Sequence, residues 1–227
     1  MITNIFLNQL IFQQKTNVND GITQIDLYKK AIDNYLATSE KDYLERQIEQ
    51  QIVMANQGND SDYLMLNMEY KESVNKGKFD IIALKRSSGN KLPTITLIEL
   101  KNNTGALDGK SGLEKHLTKM KDFIKNPKSA EFKEDLAKLY EQKCELGLLE
   151  YSEEIAAVLK QPLKFEVMFL FTDLEEDSQT LNRILKSEEF KTSYDFDVKI
   201  AFLKDKNLKL SEEAVKPLDE FLKQIEL

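Results

Sequence analysis

Glu99 and Lys101 are the residues of this chain best suited to chemistry. They close the run Thr94-Ile95-Thr96-Leu97-Ile98-Glu99-Leu100-Lys101, whose apolar and β-branched content predicts a strand. Side chains alternate along a strand, so Glu99 and Lys101 share a face with Ile95 and Leu97, and Thr96, Ile98 and Leu100 line the other. A strand apolar on both faces belongs to the interior of a sheet. A carboxylate and an ammonium are costly there unless each is paired or ligated. A hard divalent cation beside a working lysine meets that need. It takes oxygens from fixed carboxylates and leaves positions open for water and phosphate. The chemistry such a set performs is phosphodiester hydrolysis.

The cation needs a second carboxylate from a neighbouring strand, and Asp80 is placed to supply it. It lies in the apolar run Lys78-Phe79-Asp80-Ile81-Ile82-Ala83-Leu84. The loop Ser87-Ser88-Gly89-Asn90-Lys91-Leu92-Pro93 turns that run back into the strand of Glu99. The backbone carbonyl of Leu100 is a further candidate donor. Lys101 points the same way as Glu99 and is the candidate to orient the attacking water and steady the charge on phosphorus. Acid-x-Lys spacing is weak by itself and recurs in the chain, for instance at Glu69-Lys71, Glu131-Lys133, Glu141-Lys143 and Asp197-Lys199. Among these, Glu99-Lys101 alone joins a buried strand to an acid on the strand before it.

The positioning elements can be read from periodicity and breakers. Residues 22–37 predict a helix with Ile25, Ile32 and Leu36 as its stripe. Ser39 is a candidate cap for a second helix over about 40–55, with Leu44, Ile48 and Ile52 on its apolar side. Strands follow at 63–73, 78–85 and 94–101, joined by a Lys-Gly turn at 76–77 and by the 87–93 loop, an antiparallel meander. Ser111-Gly-Leu-Glu114 has capping-box form and opens a helix bearing Leu113, Leu117, Met120 and Ile124. Residues 130–160 read as wholly helical and strongly charged. Phe165–Phe171 predicts a second interior strand. A short helix over 178–190, an edge or half-exposed strand over 194–203 and an amphipathic helix over 211–225 complete the chain.

At 227 residues with 41% hydrophobic and 31% charged content, the chain can bury a sizeable core. The lone Cys144 cannot make an internal disulfide, which suits a reducing compartment; a cytoplasmic location is expected. The longest apolar run, Val167–Phe171, is too short to span a bilayer, and the first twelve residues have no basic region of the kind a signal peptide carries. A net charge of -7 argues against a generic nucleic-acid binder. The charge is uneven, however. Residues 101–128 hold seven lysines against three acids, and 129–190 hold fifteen acids against seven bases. A basic face beside the charged strand suits a phosphate backbone, with Lys110, Lys115, His116 and Lys119 as its candidate contacts. The bland alternative is that these lysines are the wet side of a helix and that His116 flanks its apolar stripe.

Asp80, eighteen residues, then Glu99-Leu100-Lys101 resembles the PD-(D/E)xK nuclease superfamily, as does the order helix, three-strand meander, helix, strand. Lys101 to His116 is also similar to the strand-to-helix junction of uncharacterised bacterial and phage-type members. Phe79 stands where the motif's Pro would be, and that Pro is often absent. The resemblance covers roughly residues 40–172. It implies an α/β, restriction-endonuclease-like fold with a central mixed β-sheet flanked by helices. The expected organisation is a single domain over 1–227. It comprises an N-terminal helical extension over 1–39, a catalytic core over 40–128 and 163–172, a helical insertion over 129–162 and a closing helix-strand-helix over 173–227. The resemblance further implies Mg²⁺ or Mn²⁺ on Asp80, Glu99 and the Leu100 carbonyl, with Lys101 catalytic. Many members carry a Glu on the helix before the meander. Glu45 is the match for it, with Glu49 one turn on as the fallback. The implied substrate is nucleic acid, DNA first, and many proteins of this fold dimerise to cut both strands.

Two rival readings stand beside this one. Glu99 and Lys101 would form a water-exposed strand-end salt bridge, or the same fold would serve as a non-catalytic binding or regulatory module. The acidic insertion fits the second, as a surface for a protein partner; it also fits a lid or dimer arm that limits access. Asp173 and Glu175 read as a turn, and the aromatic residues of 165–171 as core. The sequence has no P-loop, no GxGxxG and no Cys/His spacing for zinc.

Overall fold

The computed structural model describes residues 44–58, 61–71, 78–86, 94–109, 112–126, 129–204 and 208–225. The chain divides into two units, Met1–Tyr43 and Leu44–Leu227. The helix expected over 22–37, the turn at 76–77 and the loop over 87–93 lie outside the described residues.

Apolar and β-branched runs form six strands: β1 Tyr63–Lys71, β2 Lys78–Lys85, β3 Thr94–Lys101, β4 Lys164–Thr172, β5 Asp197–Leu203 and β6 Val215–Pro217. They pair in that order in one sheet. β1, β2 and β3 are an antiparallel meander. β3, β4 and β5 run parallel, and β6 returns antiparallel to β5. Parallel neighbours need long crossovers. α2 Leu113–Lys125, α3 Ser129–Glu145 and α4 Glu153–Leu159 supply the first. α5 Gln179–Leu185 and α6 Glu188–Lys191 supply the second. α1 Leu44–Ala55 precedes the sheet and α7 Leu218–Gln224 follows it. The protein is thus α/β, with a six-stranded mixed sheet flanked by helices.

Alternation along the central strands divides the core in two. Leu97, Val167 and Phe169 face a large cluster with Leu117, Met120 and Phe123 of α2 and Phe132 and Leu136 of α3. Ile98, Met168 and Leu170 face a smaller one with Ile52 and Val53 of α1. Asn56 fixes the end of α1: its side-chain amide donates to the carbonyls of Ile52 and Leu208 at 2.7 and 2.8 Å, and its Oδ1 accepts from the N–H of Leu210 at 2.8 Å.

The structure corrects three expectations. Helix is not continuous over 130–160: Gly147, at φ +68°, ends the chain's helical course after α3, and Ser152 caps α4 by accepting from the N–H of Ile155. The helical segment expected as an insertion also contributes to the core. Phe132, Leu136 and Tyr140 are each at most 3% exposed, and Phe132 packs edge-on against Phe123 at 5.0 Å between ring centroids. The N-cap of α2 is Gly112. A Cβ there would sit 2.7 Å from the carbonyl carbon of Asp108, so only glycine fits without movement. The terminal helix starts at Leu218 and not near 211, because Val215–Pro217 pair with β5, which is therefore covered on both sides over Lys199–Ala201. Among the described residues no helix is long and apolar enough to cross a membrane.

Candidate metal centre

β2 changes face at Asp80. Phe79 packs in the large cluster and Ile81, two residues on, in the small one, whereas a regular pleat would put both on one side. The irregularity is shared with β1, where Glu69, opposite Asp80 in register, takes a left-handed φ of 50°. The β2–β3 ladder also stops here, at Ile81 paired with Ile98. With the ladder open, the Asp80 side chain closes the gap: its Oδ2 accepts from the N–H of Leu100 at 3.0 Å.

The turn brings Asp80 to α1. Carboxylate oxygens of Asp80, Glu45 and Glu49 all lie within 4.8 Å of one another. Asp80 is 6% and Glu49 2% exposed, while Glu45 lies on the exposed side. Glu49 occupies the buried stripe of α1 because it precedes Ile52 and Val53 by three and four residues. Its Oε2 is buried and has no hydrogen-bond partner among the described residues. Burial, then repulsion from Asp80, pushes the Glu49 carboxyl up to about 8. Burial, then the charge of Glu99, pushes Asp80 up to about 6 against the pull of the Leu100 N–H. Asp80 and Glu49, buried and held this close, resist ionising together without a cation. Three hard oxygen donors, one of them unpartnered and buried, are a donor set that fits Mg²⁺ or Mn²⁺.

Glu99 and Lys101 lie on the other side of the ladder end, as the alternation of β3 requires. Lys101 Nζ is 2.6 Å from Glu99 Oε1, and both residues are buried. Glu99 Oε2 is 2.7 Å from His116 Nδ1 of α2. That distance suits a hydrogen bond, but the alignment does not, and among the described residues neither atom has another partner. We therefore treat the contact as electrostatic. Burial opposes the Glu99 charge, yet His116 and Lys101 together outweigh it and hold the carboxyl below its ordinary range. The water-exposed salt bridge of the rival reading is thus replaced by a buried set of three.

The expected residues fall into two groups. Asp80 joins Glu45 and Glu49, and Glu99 joins Lys101 and His116. Glu99, expected on the metal with Asp80, lies outside the three-acid group, with its oxygens on Lys101 and His116. For Leu100 the visible role is its N–H, in use by Asp80. His116, expected on phosphate, faces Glu99. Lys115 and Lys119 are exposed on α2, and Lys110 lies outside the described residues. A cleft of about 760 Å³ opens at the carboxyl ends of β3, β4 and β5, lined by neighbours of the two groups in the chain and by none of their six residues themselves. It is lined by Ile48 and Gln51, which flank Glu49, and by Asn102, which follows Lys101. Asp173 and Glu175, read as a turn, are also on its wall; Asp173 takes φ 52° past the end of β4. No family model, curated protein or solved structure matches this chain.

Proposed function

We propose that this chain is a metal-dependent phosphodiesterase of the restriction-endonuclease-like fold, a nuclease of PD-(D/E)xK type acting on DNA. The observation that carries the reading is the meeting of Asp80 with Glu49 and Glu45 at the broken end of the β2–β3 ladder, directly across from Glu99 and Lys101. Bound Mg²⁺ or Mn²⁺ would neutralise charge on the phosphate and make a water acidic enough to act as nucleophile near neutral pH. Asp80 and Glu49 would hold the ion from two sides, with Glu45 on the solvent side. Glu99, the expected ligand on β3, fixes the Lys101 ammonium at 2.6 Å. Lys101 orients the nucleophile and offsets charge on the phosphorane. His116 keeps Glu99 ionised and in place. The lysines of α2 and the segment before it are the expected contacts to the backbone.

The test is cleavage of supercoiled plasmid, linear duplex, single-stranded DNA and RNA in Mg²⁺, Mn²⁺ or EDTA, with wild type beside Lys101→Ala. Metal-dependent cutting by wild type alone supports the reading and names the polymer. A second reading, a non-catalytic module on the same fold, is favoured by the closed Glu99-Lys101-His116 set, which satisfies the strand-end charges without an ion. Calorimetry with Mn²⁺ separates the two: binding lost in Asp80→Asn marks a metal site, and no binding to wild type marks a module.

A further inference from the structure

Exposed apolar side chains are ordinary when scattered over a surface and informative when gathered in one place. Among the described residues four large apolar side chains are strongly exposed, and three of them belong to the short connection between α3 and α4. Leu146, Leu148 and Tyr151 are 73%, 55% and 58% exposed. The connection is firmly tied down. At the left-handed Gly147, the N–H of Leu148 donates to the carbonyl of Lys143 at 2.8 Å and that of Gly147 to the carbonyl of Cys144 at 3.0 Å, the paired bonds of a Schellman cap. Leu149 turns inward and is buried. Farther on, the Tyr140 hydroxyl accepts from the N–H of Ser152 at 2.8 Å and donates to the carbonyl of Glu150 at 3.3 Å, and its ring stacks against that of Tyr151. The backbone is thus fixed at both ends, with three apolar side chains turned to solvent.

We infer that this connection is a docking site for a basic amphipathic helix of a partner protein. The apolar stripe of that helix would cover Leu146, Leu148 and Tyr151, and its Lys and Arg residues would meet the carboxylates around them. Charge decides the occupant. Residues 141–160 hold five acids and two bases. Lys160 is matched by Glu141 at 3.6 Å, and Lys143 is half-buried. Glu145, Glu150, Glu153 and Glu154 are exposed and make no ion pair among the described residues. Glu153 and Glu154 suit the first turn of α4, but Glu145 ends α3, where the helix dipole disfavours an anion. Such a surface repels nucleic acid and anionic membranes. A second copy of this chain, meeting patch to patch about a two-fold axis, would set the same carboxylates against one another. A cationic partner meets neither obstacle, and the fixed connection spares it the cost of ordering this side. The N–H groups of residues 147, 148, 149 and 152 are already used within the chain, so contact is made through side chains, as by a helix and not by an added strand. The inference does not rest on the nuclease reading.

The test uses the full chain and a fluorescently labelled synthetic helix with a Leu stripe flanked by Lys, read by anisotropy, beside the same helix with Glu in place of Lys. The Lys helix is expected to bind wild type, more weakly as salt rises, and the Glu helix to show no binding. Leu146→Ser with Leu148→Ser is expected to weaken the Lys helix about tenfold or more, with Tm unchanged because neither side chain is buried. Glu145→Gln with Glu150→Gln is expected to flatten the salt dependence. Equal binding of the Lys helix to wild type and to the leucine variant, or no binding to wild type, would overturn the inference. So would a wild-type dimer in sedimentation that the leucine variant dissolves, since the occupant would then be a second copy.

Discussion

Asp80 accepts a hydrogen bond from the backbone N–H of Leu100, 3.0 Å away, at the point where β2 and β3 part. The bond does two things at once. It satisfies a backbone donor that lost its ladder partner, and it holds Asp80 one residue from Glu99 on β3 while its carboxylate lies with Glu45 and Glu49. The two groups of charged residues are joined through this single side chain, on whose charge both Glu99 and Lys101 act.

Substitutions at Asp80 separate these roles. Asn keeps an acceptor oxygen for Leu100 but loses the charge, so Asp80→Asn is expected to stay folded and to lose Mn²⁺ binding and cleavage. Asp80→Ala also leaves a buried N–H unpaired, which costs about 1–3 kcal/mol. Urea denaturation should rank Ala below Asn by that amount. Equal stability of the two variants would show that the bond does not hold the strand end.

Glu99 and Lys101 should behave as one unit. Removing a single partner of a buried pair leaves an uncompensated charge, at a cost of about 3–5 kcal/mol. Lys101→Met is expected near that range, eased by His116 on the second oxygen of Glu99. The double variant Glu99→Gln, Lys101→Met should be more stable than the sum of its single variants implies. A thermodynamic cycle in urea measures the coupling, expected at about 1–3 kcal/mol. Under the nuclease reading Lys101→Met also lowers kcat about 100-fold or more with KM little changed.

The acidic segment 129–160 should not be removable. α3 buries Phe132, Leu136 and Tyr140 against the sheet and α2. Losing one buried Phe costs about 3–5 kcal/mol, which is a large share of a domain's stability. Phe132→Ala is expected to lower Tm by at least several degrees, and deletion of the segment to abolish folding. A soluble, cooperatively folded deletion protein with raised activity would restore the idea of a lid.

Where the pattern of side chains is strictly local, the sequence was readable. Alternation in Thr94–Lys101 placed Glu99 and Lys101 together on one face, with Leu97, and Ile98 on the other, as the two core clusters show. The meander followed from three apolar runs of short spacing, and the second interior strand from Phe165–Phe171. What escaped depends on non-local events. The stripe drawn through Leu44, Ile48 and Ile52 put Glu45 forward. The stripe through Glu49, Ile52, Val53 and Asn56 is the buried one, and Asn56, anchored by Leu208 and Leu210, was its available signal. The face change at Asp80 has no local signature, because it comes with the left-handed turn at Glu69 on the neighbouring strand. His116 was seen as a flank of the α2 stripe, but its partner Glu99 on β3 could not be.

Glu49 makes the metal-free protein sensitive to alkali. In the folded chain its carboxyl keeps a proton up to about 8, whereas the unfolded chain releases it near 4.5. Between those values the folded state binds more protons than the unfolded state, so stability falls as pH rises. The stabilisation is complete below pH 4.5 and gone above about 8. Asp80 acts in the same sense over a lower window, from 3.8 to about 6. In EDTA, Tm is therefore expected to drop from pH 6 to pH 8. Glu49→Gln, neutral throughout, should flatten that drop and be the more stable protein at pH 8. A hard cation reverses the sign, because it needs the carboxylates ionised. Mn²⁺ affinity should rise by as much as about tenfold per pH unit as Glu49 loses its proton. Calorimetry in two buffers of different ionisation enthalpy would count that proton directly. A Tm profile in EDTA identical for wild type and Glu49→Gln would show that the folded chain does not hold a proton on Glu49 above its ordinary range, and the rise of Mn²⁺ affinity with pH would then not come from Glu49.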